Sequence, residues 1–123
     1  MFAAKEKVEN LVLLIDYNKV QLDGTEDQIM PLYPLKEKLE AFGWLVNDEK
    51  YDGNNTEDIL KSFAWLDSTP NVPKCVIYDT VKGKGVDFSE GKNTWHGAVI
   101  DDEHYEIGIK QLRSDKERKE AKL

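Results

Sequence analysis

The sequence has few of the features that mark secreted, membrane-spanning or nucleic-acid-binding proteins. Cys75 is the only cysteine in 123 residues, so no disulfide can form within the chain, and a cytoplasmic location is expected. The longest aliphatic run, residues 11–15, has five members, which is too few for a membrane helix or a signal peptide. Acidic residues outnumber basic ones by 24 to 17, which argues against binding to nucleic acid or to anionic membranes.

Three short apolar segments predict β-strands in a chain the size of one small domain. They are residues 11–15, 44–46 and 74–79. The first is typical of a strand buried on both faces. Because helical segments alternate with the strands, we predict a three-layer α/β fold, with a mainly parallel sheet and flanking helices. Three strands leave at least one sheet edge bare, and a bare edge attracts partners.

The helical segments differ in how clearly their ends are marked. Residues 1–8 favour a helix but offer no cap at its start, so we interpret this segment as the tail of a longer helix. A second helix should place Leu35, Leu39 and Phe42 on one face and stop at Gly43.

The last two helices carry clearer apolar patterns. Thr56 should cap the third helix, and Ser68, Thr69 and Pro70 should end it. Its buried side is predicted to contain Ile59, Leu60, Phe63 and Leu66. A fourth helix begins near Asp101, keeps Tyr105, Ile109 and Leu112 at helical spacing, and ends in a charged, solvated tail.

The polar residues that follow the first strand form the candidate site. Ligands of open α/β sheets collect beyond the carboxyl ends of the strands. Asn18 offers an amide oxygen there, and an irregular segment after it leaves main-chain carbonyls free. Such oxygens are ligands that Mg²⁺ or Ca²⁺ accepts. Taken alone, an asparagine between a strand and an Asp-Gly turn is more often a turn residue that bonds its own backbone.

Other residues whose side chains could take part in binding or catalysis have ordinary structural explanations as well. Lys82 to Gly85 read Lys-Gly-Lys-Gly, which suits a phosphate contact but is also common in solvated turns. His96 could carry a proton near neutral pH or serve a structural role. We predict that His104 lies on the surface and that Cys75 is a buried, unreactive strand thiol.

Several motifs together resemble one enzyme family. They lie at residues 16–24, 30–32, 41–44, 80–86 and 95–97, the last reading Trp-His-Gly. In order and spacing they resemble transketolase, a thiamine-diphosphate enzyme, and in particular the N-terminal subunit of its split form. The resemblance covers nearly the whole chain and corresponds to the second half of that family's diphosphate-binding domain.

The resemblance implies roles for five residues. The Asn18 side-chain oxygen and the Val20 carbonyl would bind the divalent metal, Mg²⁺ or else Ca²⁺ or Mn²⁺, that bridges the diphosphate of the cofactor thiamine diphosphate. Leu22 would press against the cofactor ring system, and Lys82 would contact the cofactor. His96 would lie between the diphosphate and the sugar substrate, where it could act as a catalytic residue by bonding a hydroxyl or moving a proton.

The implied activity is transfer of a two-carbon ketol unit from a ketose phosphate to an aldose phosphate. The family's Gly-Asp-Gly motif is absent, and neither Asp16 nor Asp23 occupies its place. The pyrimidine-binding domain is absent as well. We therefore expect complementary chains, an oligomer, and an incomplete active centre in this chain alone. Two alternatives stay open, namely a non-catalytic α/β binding or assembly module and a stand-alone flavodoxin-type domain.

Overall fold

A computed structural model describes residues 1–69 and 72–121. The elements in chain order are α1 (Phe2–Lys5), β1 (Val12–Tyr17), β2 (Val20–Gln21), β3 (Gly24–Thr25), α2 (Glu26–Ile29), α3 (Leu35–Ala41), β4 (Leu45–Val46), β5 (Tyr51–Asp52), α4 (Thr56–Ser68), β6 (Lys74–Asp79), a 3₁₀ helix (Asn93–Trp95) and α5 (Asp102–Glu120). They fall into two compact units. Unit 1 comprises Met1–Asn18 and Met30–Thr80, and unit 2 comprises Lys19–Ile29 and Val81–Leu123.

Unit 1 is built on a parallel sheet in which β6 is the central strand. β1 pairs with the whole of β6, from Val12 opposite Lys74 to Tyr17 opposite Asp79. β4 and β5 pair in parallel with successive parts of β6, while α3 packs near β4 and α4 near β5. The prediction of an α/β fold with a parallel sheet and flanking helices is therefore confirmed.

The buried strand is β6, and the prediction that the first strand is buried on both faces is wrong. β1 alternates between half-buried and exposed positions, and Val12 and Leu14 are 40% and 47% exposed. The reason is its place in the sheet, since within the described residues β1 is an edge strand that pairs with β6 alone. β5 was also missed, because residues 48–55 are too polar to indicate a strand.

The core of unit 1 lies where α4 meets β5 and β6. It contains Tyr51, Leu66, Val76 and Tyr78, with Ile59 and Trp65 packed against them. The predictions for Ile59 and Leu66 hold, whereas Leu60 and Phe63 are 64% and 48% exposed. The small residue Ser62 takes the central position of the buried stripe instead, because residues 59, 62 and 66 share one helical face.

The helix ends follow local signals closely. α3 begins after Pro34 and ends before Gly43, whose φ of +85° suits glycine. Phe42, which the helical spacing placed on the same face as Leu35 and Leu39, is exposed. The cap of α4 is Asn55, whose side chain accepts a hydrogen bond from the Glu57 N–H at 2.8 Å, so the prediction of Thr56 was one residue late. α4 ends at Ser68 with Thr69 as its C-cap, and the predicted stop at Pro70 lies outside the described residues.

The first helix is shorter than the sequence indicates. α1 spans Phe2–Lys5 and has no side-chain cap, and Lys7 has a φ of +54°. That left-handed conformation is incompatible with a continuing helix. Across residues 1–69 and 72–121, no helix combines the length and the apolar character that crossing a bilayer requires.

Candidate functional site

β1 and β6 end at the same edge of the sheet in unit 1. Tyr17 lies opposite Asp79 at this end, and the Thr80 N–H donates to the Tyr17 carbonyl at 3.4 Å. The Thr80 hydroxyl also donates to the Asp16 carboxylate. These bonds fix the carboxyl end of β1, after which Asn18 follows in a half-buried position.

The segment that follows Asn18 is a compact hairpin in unit 2. Lys19 has a φ of +62°, a left-handed conformation that few residues other than glycine adopt. Its carbonyl accepts a hydrogen bond from the Glu26 N–H at 2.9 Å, and Val20 begins β2 opposite Thr25 in β3. The prediction that Asn18 and Val20 bind a metal stays a prediction.

The donor chemistry of these two residues can be compared with what a divalent cation requires. An amide oxygen and a main-chain carbonyl are hard donors of the kind that Mg²⁺, Ca²⁺ and Mn²⁺ prefer. Among residues 1–69 and 72–121, however, no group of three or more His, Cys, Asp or Glu side chains could hold a metal ion by itself. The chain therefore fits such a cation in the kind of ligand it offers.

Leu22 and His96, both predicted site residues, are connected through Asn93. Leu22 is 59% exposed, and its main-chain oxygen accepts a hydrogen bond from the Asn93 side-chain amide at 3.2 Å. The His96 N–H donates to the Asn93 carbonyl at 2.9 Å, and the His96 side chain is exposed. Sequence reasoning missed Asn93, since nothing near it in the chain indicates a bond to Leu22.

The glycine-rich loop is an ordered turn closed by its own residues. Gly83 has a φ of +68°, and a Cβ atom there would meet the Ser89 hydroxyl oxygen at 2.7 Å. The Lys84 ammonium lies 2.9 Å from the Glu90 carboxylate, and this contact lowers the pKa of Glu90. The Gly91 N–H donates to the Lys82 carbonyl at 2.8 Å. These contacts order the turn, while Gly83 and Lys84 remain exposed.

Lys82 lies beside an apolar cavity within unit 2. Its half-buried side chain helps to line a space of about 300 Å³. The Lys82 ammonium has no ion pair with another described residue, in contrast to the Lys84 ammonium. The contact of Lys82 with the cofactor stays a prediction.

The prediction that His104 is only a surface residue is wrong. Its ring centroid lies 4.8 Å from those of both Phe88 and Trp95, and it lines the same cavity as Lys82. Its Nδ1 atom is 2.7 Å from a carboxylate oxygen of Asp101, the N-cap of α5. Main-chain and side-chain hydrogen bonds from His104 lower the pKa of Asp101. The helical spacing did not predict this aromatic packing, because Phe88 and Trp95 precede α5 and are not part of its pattern.

Cys75 is a structural thiol, as predicted. Its side chain is completely buried in β6, and burial raises the pKa of the thiol to about 11. The reactive thiolate is therefore strongly disfavoured near neutral pH.

Comparisons with known proteins agree with this architecture. Residues 1–119 match the family model described as transketolase, thiamine diphosphate binding domain. A 6-deoxy-6-sulfo-D-fructose transketolase subunit from Clostridium sp. (strain MSTE9) is 36% identical over 115 residues, which are 94% of this chain and 41% of that protein. One of the subunits of the apulose-4-phosphate transketolase of Phocaeicola vulgatus is 38% identical over 106 residues, covering 86% of this chain and 37% of that protein.

A solved structure extends the likeness to three dimensions. The crystal structure of transketolase from Campylobacter jejuni subsp. jejuni superimposes with a TM-score of 0.79 at 25% sequence identity, covering 89% of this chain and 17% of that one. The chain spans about two fifths of the length of the two transketolase subunits above. With 119 residues matched to the family model, the chain belongs to the family of the transketolase thiamine diphosphate binding domain.

Proposed function

We propose that this chain is part of a transketolase that transfers a two-carbon ketol unit from a ketose phosphate to an aldose phosphate. The observation that carries the proposal is the match of residues 1–119 to the thiamine diphosphate binding domain of transketolase. The parallel sheet supports it, since Asn18 follows directly on the carboxyl end of β1, where α/β proteins bind ligands.

The proposed cofactor is thiamine diphosphate with Mg²⁺, or with Ca²⁺ or Mn²⁺ in its place. When bound, the cofactor supplies the electron sink for cleavage of a carbon–carbon bond, and the protein supplies binding and orientation. Asn18 would offer its amide oxygen to the metal and Val20 its carbonyl. Both are hard oxygen donors, which supports this assignment.

Three residues of unit 2 have proposed roles toward cofactor and substrate. Leu22 is an exposed aliphatic side chain, which supports contact with the cofactor rings. The ammonium of Lys82 would bind a phosphate oxygen as a point charge. His96 has an exposed imidazole that would donate a hydrogen bond to a sugar hydroxyl or accept its proton.

The remaining parts of the active centre are proposed to come from complementary chains. Relatives of this chain are named as subunits of transketolases, which supports an assembly of several chains. We propose that the complement carries the Gly-Asp-Gly motif and the pyrimidine-binding domain, and that the complex is an oligomer in the cytoplasm. Sugar phosphates are the proposed substrates.

Reconstitution of the complex tests the proposed function. The chain would be mixed with the chains that we propose as its complement, one carrying the Gly-Asp-Gly motif and one carrying the pyrimidine-binding domain. We expect a complex by size-exclusion chromatography, and ketol transfer that depends on thiamine diphosphate and Mg²⁺. His96→Ala should form the same complex but lower kcat at least about ten-fold. A complex without transfer would favour a non-catalytic assembly module, and failure to form any complex would contradict the proposal.

A further inference from the structure

The 3₁₀ helix Asn93–Trp95 is fastened to the hairpin of unit 2 by a side chain. The Asn93 amide nitrogen donates to the Leu22 main-chain oxygen at 3.2 Å, although the two residues are 71 positions apart. Leu22 lies between β2 and β3, so this bond holds the tip of the hairpin. Only a residue with a side-chain donor can make it.

The other end of the same 3₁₀ helix is held by aromatic packing. The ring centroids of Trp95 and Phe88 are 4.6 Å apart, and that of His104 is 4.8 Å from each. These separations are typical of favourable aromatic contacts. His104 is in turn fixed to the start of α5, because Asp101 accepts a hydrogen bond from the His104 main-chain N–H at 2.9 Å and lies 2.7 Å from its Nδ1.

His96 follows this segment directly and shares its anchors. The His96 N–H donates to the Asn93 carbonyl at 2.9 Å, so Asn93 contacts the main chain of both Leu22 and His96. The backbone of His96 is thus restrained by its own hydrogen bond to Asn93 and by the packing of the preceding residue, Trp95. Its imidazole remains exposed.

We infer that Asn93 and His104 are positioning residues that set Leu22 and His96 at a fixed separation for cofactor and substrate. The inference rests on the proposed function, in which Leu22 contacts the cofactor and His96 the sugar. Neither Asn93 nor His104 has a role in that proposal. A displacement of about 1 Å in a reacting group can cost about 100-fold in rate, so loss of either anchor should reduce the efficiency of transfer.

The first test uses the chain alone and needs no activity. Asn93→Asp keeps the shape of the side chain but removes the N–H donor. In ¹H–¹⁵N and ¹H–¹³C NMR spectra we expect shifts of the Asp23 amide, which shares a peptide group with the Leu22 oxygen, and of the His96 imidazole. Thr94→Ala is the matched control, since Thr94 is exposed on the same 3₁₀ helix. Asp23 and His96 signals that stay unchanged in Asn93→Asp would overturn the role of Asn93.

His104 is tested by a pair of variants that separate packing from hydrogen bonding. His104→Ala should shift the Trp95 indole and His96 imidazole signals, because the aromatic support is lost. His104→Phe retains a ring and should restore the Trp95 signal toward its original position. If His104→Ala leaves both signals in place, the role of His104 is refuted.

The second test measures transfer by the reconstituted complex. Asn93→Asp and His104→Ala should each lower kcat/KM about ten-fold, whereas Thr94→Ala should match the unsubstituted chain and His104→Phe should recover most of the loss. Unchanged kcat/KM in both variants would overturn the inference. If the unsubstituted complex itself shows no transfer, the proposed function fails, while the NMR comparison still decides whether Asn93 and His104 position His96.

Discussion

The hydroxyl groups of Ser62 and Tyr78 lie 2.5 Å apart in the core of unit 1. Ser62 also donates to the Ile59 carbonyl at 2.7 Å, so its single hydrogen is engaged and Tyr78 must be the donor of the pair. The bond joins α4 to β6 in a place where both residues are almost fully buried.

Tyr78→Phe removes that bond without changing the volume of the ring. Because Ser62 keeps its contact with Ile59, we expect the free energy of unfolding to fall by about 1 kcal/mol. Urea titration followed by circular dichroism measures the change. Tyr33→Phe is the control, since Tyr33 is 77% exposed and its variant should unfold like the unsubstituted protein. Equal stability of Tyr78→Phe and the unsubstituted chain would show that the hydroxyl pair contributes nothing.

The cap of α4 gives a prediction with its own neighbouring control. Asn55→Ala removes the oxygen that accepts the Glu57 N–H and should lower the free energy of unfolding by about 1 kcal/mol. Thr56→Ala should change it by less than about 0.5 kcal/mol, because Thr56 is exposed and is not the cap. A larger loss in Thr56→Ala than in Asn55→Ala, measured by the same urea titration, would contradict the observed cap.

Burial of Cys75 makes stability depend on pH in the alkaline range. The folded-state pKa of the thiol is about 11, above the ordinary value of 9.0, so the folded chain retains this proton over a range in which the unfolded chain loses it. The resulting contribution of the buried thiol to the free energy of unfolding is fully present below pH 9 and is lost as the pH rises through about 11. Cys75→Ala provides the reference, because it lacks the thiol but keeps every other titrating group.

We expect the stability of the unsubstituted chain relative to Cys75→Ala to decrease between pH 9 and pH 11, measured by denaturant titration at each pH. An aromatic disulfide reagent that reports free thiols should react with Cys75 only after unfolding. Rapid reaction of the native chain at pH 8 would show that the thiol is accessible.

Asn18 is the residue whose loss should weaken cofactor binding most directly. In the reconstituted complex, Asn18→Ala should raise the Kd for thiamine diphosphate in the presence of Mg²⁺ by about ten-fold, which corresponds to about 1.4 kcal/mol. Asn18→Asp retains an oxygen donor and should bind better than Asn18→Ala. Isothermal titration calorimetry gives the Kd.

Asn54→Ala serves as the matched control, since it removes an exposed asparagine from the loop before α4. If this control and Asn18→Ala raise the Kd equally, Asn18 is not a metal ligand.

Much of the fold follows from signals between near neighbours in the chain. The strand Lys74–Asp79 agrees with its predicted bounds, and the stop of α3 follows from the conformational freedom of Gly43. β5 could not be predicted in this way. Its residues Tyr51 and Asp52 pair with Tyr78 and Asp79, and a two-residue strand has no periodicity of its own.

The amino-acid sequence by itself determined the family, the parallel α/β architecture and the burial of Cys75, because motifs, turn residues and short apolar runs act locally. Only the tertiary structure decided that β1 is an edge strand, that Ser62 meets Tyr78, and that Asn93 holds Leu22. Each of these three features depends on which distant segments of the chain lie side by side. Contacts between such segments leave no periodic pattern in the sequence of either segment.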